Sequence, residues 1–429
     1  MVYKEIPTSV ATFMETITDL CGETHADWAK NFNAAFANTL LTTVKRHEDG
    51  TTFLLTGDIP AMWLRDSTAQ VRPYLVIAKE DEDLASMISG LVKKQFYYIT
   101  IDPYANAFNE SANGAGHQTD DTEMNDWIWE RKYEIDSLCY PIQLAYLLYK
   151  NTGRTDQFND DFVTGIKKAL EVFVTEQNHE ESPYRFERDT WRKEDTLTHG
   201  GKGAPVKPVG LTWSGFRPSD DACKYGYLIP SNMFAVVVLG YIQEIFTTVL
   251  EDAAIVAQAK KLQADIEAGI KAYGLTTNQA GEEVYAYEVD GFGNGTLMDD
   301  SNVPNLIAAP YLGYGSMEDP LYLQTRKTLL SSENPYFYEG KYAKGIGSSH
   351  TPKNYVWPIA MAMEGMTTTD KEEKKRILDQ LVATDAGTNL MHEGFDVDDP
   401  SQYTREWFSW ANMMFCELVM DYFDIRVEK

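Results

Sequence analysis

The segment LIPSNMFAVVVLGYIQEIF, residues 228–246, is apolar around almost its whole helical circumference. A helix of that kind lies in the core of a protein or spans a membrane. No stretch of the chain, this one included, approaches the roughly 18 uninterrupted apolar residues that a membrane span needs. We therefore expect a helix near 227–249 that is buried on most sides in a helical fold.

Helical periodicity continues outward from this segment in both directions. Apolar residues recur every three or four positions over 28–44 and over 407–422, as they do in helices that bury one face. The pattern predicts about twelve helices, near 27–45, 60–78, 82–100, 136–150, 157–177, 227–249, 252–274, 303–310, 318–331, 354–366, 370–386 and 404–423.

Strand signals are few and short, at 53–56, 184–189 and 284–289, and they lack the regular recurrence of a sandwich or barrel of strands. No linker rich in Pro, Gly or Ser separates two cores, and no sequence repeat of fixed period is present. The pattern predicts an all-α protein with a few short strands in loops, folded as a single domain over residues 1–429. Six helical hairpins closed into a toroid are the simplest form, although composition leaves an open helical array as an alternative.

Composition and charge narrow the choice of partners and of cellular compartment. The net charge of −27 argues against nucleic acid, because phosphate neutralisation needs clustered Lys and Arg, and it is compatible with a neutral sugar. The first residues, MVYKEIPTSVATFMET, have no apolar segment of the signal-peptide type. The four cysteines are far apart and show no CxxC spacing, which is typical of reduced thiols. We expect a soluble, cytoplasmic protein with no membrane partner.

Four long connections between the predicted helices are polar and rich in Gly, Pro, Asn and aromatic residues. Long ordered loops in compact domains are usually functional. These loops, at roughly 101–133, 190–226, 332–353 and 387–403, contain four tryptophans: Trp127, Trp129, Trp191 and Trp213. An indole offers a flat apolar face and one N–H donor, which suits a sugar ring. Anchoring of the loops by the same rings is the alternative.

Motifs of other enzyme classes are incomplete. His392-Glu393 lacks the second histidine of a zincin, and HGGKGAP (199–205) lacks the spacing and the hydroxyl residue of a P-loop. There is no G-x-S-x-G nucleophile elbow. The scattered histidines and cysteines give little support to a tetrahedral metal site. We therefore expect neither a metal nor a cofactor.

Carboxylates beside aromatic residues and arginine remain as candidates for the chemistry. In GDIPAMWLRDS (57–67), Asp58, Trp63, Arg65 and Asp66 surround a predicted helix start. An acceptor next to a fork of donors is what vicinal sugar hydroxyls need. The alternative is an ion pair that fixes the beginning of the helix.

Two further loops contribute acids. GFRPSDDACKYGY (215–227) contains Asp220 and Asp221, one of which could act as a proton donor if apolar neighbours keep it protonated. Either could also serve as a helix N-terminal acid, and local chemistry does not separate the two. NLMHEGFDVDDP (389–400) contains Glu393 in a loop before the last predicted helix, where a solvated acid is the alternative.

With these segments the chain resembles glycoside hydrolase family 125, a family of bacterial exo-α-1,6-mannosidases. The resemblance rests on GDIPAMWLRDSTAQVRPYL, FRPSDDA, YLIPSNMFA and MHEGF, and it covers essentially the whole chain. It implies an (α/α)6 barrel, an inverting mechanism without a metal, and release of terminal mannose from α-1,6-mannosides such as trimmed N-glycans. It also implies that Asp220 is the general acid and Glu393 the general base.

In that mechanism Arg65 and Asp66 would hold hydroxyls of the terminal mannose. Trp63, which adjoins this pair, is a further candidate for the same pocket. Four more candidates are chosen for their positions in loops or at helix ends: Asp58, Asn302, His350 and Trp410. Two alternatives to the exo-α-mannosidase remain: another inverting α-glycosidase of the glucoamylase or trehalase type, and a non-catalytic carbohydrate-binding protein.

Overall fold

The helices of the protein follow from a computed structural model, which describes residues 2–429. In chain order they are α1 Thr8–Cys21, α2 Ala26–Thr43, α3 Leu64–Val71, α4 Leu75–Ala78, α5 Glu82–Ile101, α6 Ile135–Thr152, α7 Asp160–Thr175, α8 Thr198–Gly201, α9 Ile229–Thr248, α10 Ala253–Tyr273, α11 Ala309–Leu312, α12 Pro320–Leu329, α13 Pro358–Met366, α14 Lys371–Ala383 and α15 Ser409–Tyr422.

The strands are only two or three residues long. They are β1 Val44–Arg46, β2 Thr52–Leu54, β3 Met62–Trp63, β4 Ala107–Phe108, β5 Ile128–Glu130, β6 Tyr227–Leu228, β7 Leu275–Thr277, β8 Glu283–Tyr285, β9 Glu288–Val289, β10 Phe337–Glu339, β11 Lys344–Ile346, β12 Tyr355–Val356, β13 Gly394–Asp396 and β14 Tyr403–Thr404. The strand pairs β1–β2, β4–β5, β6–β9, β7–β8, β12–β13 and β13–β14 are antiparallel. The prediction of a helical protein with a few short strands is confirmed.

The chain divides into two compact units. The first unit comprises residues 2–95, 144–159 and 338–429, and the second comprises 96–143 and 160–337. Each unit is therefore built from segments that are far apart in the sequence.

The core of the first unit lies between α2, α3, α13 and α15. The apolar stripe predicted over 28–44 is buried along α2, and the rings of Phe32 and Phe36 stack with centroids 4.9 Å apart. α13 approaches α15 closely at Gly365, where an added Cβ would lie 2.7 Å from the Leu418 side chain. A larger residue at 365 would separate the two helices.

The second unit is built around α9, the helix expected from residues 228–246. Most of α9 is buried, and it packs against α10 and α11. By length and composition alone α9 could cross a membrane, but core helices meet the same criterion and two-thirds of its most apolar window is buried. The predicted core helix is thus confirmed.

The predicted helix near 303–310 is wrong, because only Ala309–Leu312 is helical there. Side chains take the backbone donors of this segment. The Asp299 carboxyl group accepts the N–H groups of Leu306 and Ile307 at 2.9 and 3.1 Å, and Asp300 accepts the N–H of Asn302 at 3.0 Å. Such side-chain contacts compete directly with helical hydrogen bonds.

Other differences are smaller. α1 was not predicted, the predicted helix at 60–78 is interrupted at Arg72–Tyr74, and the predicted strand at 184–189 is reduced to a single bridge between Glu187 and Asp121.

The Asp299 carboxyl gives the fold a defined pH dependence. Burial, assisted by the charge of Asp300 and opposed by the two backbone N–H groups, raises the pKa of Asp299 from 3.8 to about 8. The folded state therefore binds a proton that the unfolded chain has lost between pH 4 and 8, so stability falls as the pH rises through this range.

We predict that the stability of the unmodified protein relative to Asp299→Asn decreases from about pH 4 to about pH 8, because asparagine cannot ionise. Urea unfolding of both proteins at several pH values measures this difference. A difference that is constant or grows with pH would contradict the assignment.

Candidate active site

In the first unit, backbone pairing brings Asp58 to the segment that precedes α15. Ser409 donates its N–H to the Thr56 carbonyl at 3.3 Å, and Asp58 donates its N–H to the Trp407 carbonyl at 3.4 Å. Between them Gly57 has φ +149°, and a Cβ there would lie 2.3 Å from the Trp407 oxygen. Glycine is required at this close approach of two backbones.

Arg405 connects two of the predicted carboxylates. Its Nε and Nη2 donate to Asp58 Oδ1 at 2.9 and 2.6 Å, and its Nη1 lies 3.8 Å from Glu393 Oε1. The guanidinium covers the Phe408 ring with 4.4 Å to the centroid. Although burial disfavours its charge, the hydrogen bond to Asp58 and the charge of Glu393 raise the pKa of Arg405. Arg405 is therefore a fixed cation between Asp58 and Glu393.

Hydrogen bonds from backbone N–H groups at and just before Glu393 hold this segment in place. Its N–H donates to the Thr404 carbonyl at 3.1 Å, just before β13 pairs with β14. The N–H of Met391 donates to Asn412 Oδ1 on α15 at 2.8 Å. The side chain of Glu393 is 9% exposed, so this acid is positioned rather than freely solvated.

Aromatic rings continue from this group in the first unit. The rings of His350 and Trp357, of Trp357 and Phe408, and of Phe408 and Trp410 approach edge-on with centroids 6.2–6.3 Å apart. The Arg65 guanidinium lies over Trp410 at 5.6 Å. Two predicted residues, His350 and Trp410, are thereby linked to a third, Arg65.

The start of α3 supplies the rest of the predicted group. Arg65 Nε is 3.4 Å from Asp66 Oδ1, and both side chains are buried. The indole N–H groups of Trp63 and Trp410 are buried and meet no acceptor within residues 2–429. A buried donor of this kind costs about 1–3 kcal/mol, so a ligand hydroxyl at either position would be stabilising.

In the second unit, the structure separates the two adjacent acids. The Asp221 side chain is 1% exposed, and both of its oxygens accept from Arg192 Nη2, at 2.8 and 3.0 Å. Its neighbour Ala222 donates an N–H to the Glu194 carbonyl at 2.7 Å. Asp221 therefore forms a structural ion pair with Arg192, which joins the 215–227 loop to the 190–196 loop.

Asp220 is partly exposed and has different partners. Its Oδ1 accepts from Asn106 Nδ2 at 3.3 Å, and its carbonyl accepts from Lys132 Nζ at 2.8 Å. Its φ of +67° is unusual for a residue other than glycine. The backbone turn at these two residues thus directs the side chains of Asp220 and Asp221 to different partners.

A buried ion pair also fixes the 215–227 loop. Arg217 Nε donates to Glu288 Oε1 at 2.6 Å, and Glu288 Oε2 accepts the N–H groups of Lys224 and Tyr225 at 3.0 Å each. Although burial opposes it, the Glu288 charge raises the pKa of Arg217. The loop that carries Asp220 is therefore rigidly attached to β9.

The side chain of Asn302 hydrogen-bonds to a residue of its own loop. It is buried, and its Nδ2 donates to Asp300 Oδ1 at 3.1 Å. A contact of Asn302 with substrate remains a prediction.

A model of metal-independent α-mannosidases, family GH125, matches residues 25–420. This chain belongs to the GH125 family.

Individual relatives agree with this assignment. A solved α-mannosidase of this kind from Streptococcus pneumoniae, in a non-productive complex with α-1,6-mannobiose, is 58% identical with a TM-score of 0.97, over 99% of this chain and all of that chain. The meiotically up-regulated gene 157 protein of Schizosaccharomyces pombe is 37% identical, over 92% of this chain and 82% of that protein. A bacterial glucoamylase solved with acarbose has a TM-score of 0.59 at 13% identity, over 97% of this chain and 58% of that one, and is similar in fold alone.

The resemblance to GH125 inferred from the motifs is thereby confirmed. As a GH125 protein the chain is a glycoside hydrolase acting on α-mannosides. The glucoamylase- or trehalase-like alternative and the non-catalytic alternative are set aside.

The four loop tryptophans of this GH125 protein have different environments. Trp213 is buried and stacks on His179 at 3.5 Å, so it anchors its loop. Trp127 and Trp129 are half-buried. Trp191 is 93% exposed and precedes Arg192, the partner of Asp221. A sugar platform at Trp191 therefore stays a prediction, whereas Trp213 has a structural role.

Sequence reasoning missed several charged residues around these acids. Arg405 stands in TREW (404–407), twelve positions after Glu393. Glu130 and Lys132 stand in WERK (129–132), beside two predicted tryptophans. Asn106 gave no signal, because a lone asparagine in a loop has many uses.

The different surroundings of Asp220 and Asp221 predict unequal losses of stability when each is replaced by asparagine. Asp221→Asn leaves the Arg192 charge without its partner and should lower the free energy of unfolding by about 3 kcal/mol. Asp220→Asn should lower it by less than ~1 kcal/mol, as is usual for partly exposed positions. Urea unfolding of both variants measures the comparison. An equal or larger loss for Asp220→Asn would contradict the assignment of Asp221 as the structural acid.

Proposed function

We propose that this α-mannosidase releases terminal mannose from the non-reducing ends of α-1,6-mannosides, such as trimmed N-glycans, with inversion at the anomeric carbon. The observation that carries the proposal is the α-1,6-mannobiose bound to the 58% identical S. pneumoniae α-mannosidase. At that identity over 99% of the chain, the same linkage is expected here.

We further propose that residues 1–429 form one catalytic domain with an (α/α)6 barrel. The predominance of helices and the similarity in fold to a glucoamylase over 97% of the chain support this architecture. A cytoplasmic location is proposed as well, and the four free cysteines support it.

In the proposed mechanism Asp220 is the general acid. Its proton passes to the glycosidic oxygen as the C1–O bond breaks and the bonding electrons move onto that oxygen. The ion pair of Asp221 with Arg192 supports this choice between the two acids, because a carboxylate already neutralised by arginine is a poor proton donor.

Glu393 is the proposed general base. As a carboxylate it takes a proton from the water that attacks C1 on the opposite face of the sugar. The nearby Arg405 cation supports the role, because charge attraction holds the carboxylate in place while Asp58 holds the arginine.

The terminal mannose is proposed to bind to the group around α3. The Arg65 fork and the Asp66 carboxylate can bind vicinal hydroxyls, and the indole N–H groups of Trp63 and Trp410 can each donate to a hydroxyl oxygen. Asp58, Asn302 and His350 remain candidates for the same pocket.

The proposal is tested by proton NMR of the sugar first released from α-1,6-mannobiose. We expect β-mannose, which then mutarotates, and faster release from the α-1,6-linked disaccharide than from the α-1,2- and α-1,3-linked ones. Initial α-mannose would overturn inversion, and a preference for another linkage would overturn the α-1,6 assignment.

Variants of the two acids test the assigned roles. Asp220→Asn and Glu393→Gln should each lower kcat on α-1,6-mannobiose by ~10²-fold or more. Thermal unfolding identifies any loss that is due to misfolding. Full activity in a folded variant would contradict the role of that acid.

A further inference from the structure

A fully buried asparagine joins the carboxyl groups of two acids of the second unit. Asn106 Nδ2 lies 3.1 Å from Glu130 Oε1 and 3.3 Å from Asp220 Oδ1. A primary amide has two N–H donors, so it can serve both acceptors at once. Its own Oδ1 accepts the backbone N–H of Lys132 at 3.1 Å. This last contact fixes the orientation of the amide, with the NH2 group towards the carboxylates.

Glu130 is a carboxylate even though it is buried. Arg188 Nη2 donates to its Oε2 at 2.8 Å, and Lys132 Nζ lies 3.9 Å away. Burial opposes ionisation and so does Asp220, but Lys132 and Arg188 outweigh them and lower the pKa of Glu130. A permanent negative charge therefore lies one amide group away from Asp220.

Lys132 holds the main chain at the same place. Its Nζ donates to the Asp220 carbonyl at 2.8 Å and also to the Asp195 carboxylate. Although burial opposes it, the charge of Glu130 raises the pKa of Lys132. This contact, together with the amide of Asn106, keeps Asp220 in its left-handed conformation.

The remaining charges near the turn are paired with one another. Asp221 is neutralised by Arg192, and Arg188 also binds Asp120 through two hydrogen bonds of 2.6 and 2.8 Å. The charged residues around the Asp220 turn include Asp120, Glu130, Lys132, Arg188, Arg192, Lys193, Glu194, Asp195, Arg217, Asp221, Lys224 and Glu288. The titratable His117 faces Glu130, with its Nε2 3.5 Å from Glu130 Oε2.

We propose that Asn106 is a positioning residue for the proton donor and that Glu130 controls when Asp220 releases its proton. This inference rests on the proposed role of Asp220 as the general acid. The amide holds Oδ1, so that the transferable proton is carried on Oδ2. The Glu130 charge disfavours a second carboxylate beside it, and Asp220 stays protonated until the glycosidic oxygen takes the proton.

The same amide stabilises the product of the transfer. When the proton leaves for the glycosidic oxygen, negative charge develops on Asp220, and the hydrogen bond from Asn106 becomes charge-assisted. Hydrogen bonds to charged groups are stronger than those between neutral groups. Asn106 therefore stabilises the transition state more than the ground state, which is the requirement for acceleration.

The experiment compares two substrates that differ in their need for an acid. α-1,6-Mannobiose has a poor leaving group, which must be protonated, whereas 2,4-dinitrophenyl α-mannoside has one that departs without a proton. For Asn106→Ala we expect kcat/KM on the disaccharide to fall by roughly tenfold or more, and by no more than the ~10²–10⁴ that general acid catalysis supplies in full. Activity on the dinitrophenyl mannoside should change much less. An equal loss on both substrates would overturn the proposal.

Two control variants separate the possible failures. Asp220→Asn should show the same selective loss of activity on the disaccharide. If it does not, Asp220 is not the general acid, and the proposed function is overturned independently of the role of Asn106. Asn109→Ala removes another buried asparagine of the same segment, one that donates to the Ala115 and Asp126 carbonyls at 3.0 Å. It should not change the ratio of the two activities. A selective loss in Asn109→Ala would show that the ratio reports general damage and would overturn the inference.

Glu130→Gln supplies a second test, which also serves if Asn106→Ala fails to fold. Glutamine keeps the volume and an acceptor for Asn106 but removes the negative charge. Ionised Asp220 then becomes less unfavourable, so the basic limb of the kcat/KM profile on α-1,6-mannobiose should move to lower pH. An unchanged basic limb, or a shift to higher pH, would overturn the role of Glu130.

Discussion

A buried carboxylate must be neutralised where it lies, and the Asp221–Arg192 ion pair does this at the turn on which the proposed chemistry depends. Both oxygens of Asp221 bind one guanidinium nitrogen, and the next residue pairs through its backbone with the loop that carries Arg192. Because Asp221 is committed to this pair, we propose its neighbour Asp220 as the proton donor. The turn then needs φ +67° at Asp220, and Lys132 and Asn106 stabilise that conformation. Two adjacent residues of the same type thus acquire different roles from their partners.

In the first unit, Arg405 supplies the positive charge beside the mostly buried Glu393 carboxyl group. This residue also has a positive φ, +46°, which costs of order 1–3 kcal/mol for a residue other than glycine. The ion pair with Asp58 and the contact with Phe408 offset that cost. In both units, backbone strain occurs beside an acid that the proposed mechanism uses. This is where strain is commonly found in enzymes.

The sequence predicts the long helices well because their apolar residues repeat with helical period. The stripe of α2 and the apolar segment of α9 are buried as expected. The prediction of a helix near 303–310 is wrong, because Asp299 and Asp300 bind backbone N–H groups there. Such contacts depend on side-chain direction rather than on periodicity. The motifs predict the family, but they do not separate Asp220 from Asp221. Arg192, which distinguishes them, lies 29 residues before Asp221, and no local pattern reveals that the chain brings the two side chains together. The hydrogen bonds of Asn106 to Glu130 and Asp220 are non-local in the same way.

We propose that Asp220 and Glu393 act as an inverting pair, and the separation of their carboxyl groups is the sharpest test of this pairing. An inverting enzyme must leave room for a water molecule, which requires roughly 6.5–9.5 Å between the two carboxyl groups. A crystal structure with a non-hydrolysable α-1,6-thiomannobiose should show that distance, with the sulfur beside Asp220 and a water between Glu393 and C1. A separation of about 5–5.5 Å, or a sugar bound away from either acid, would contradict the account.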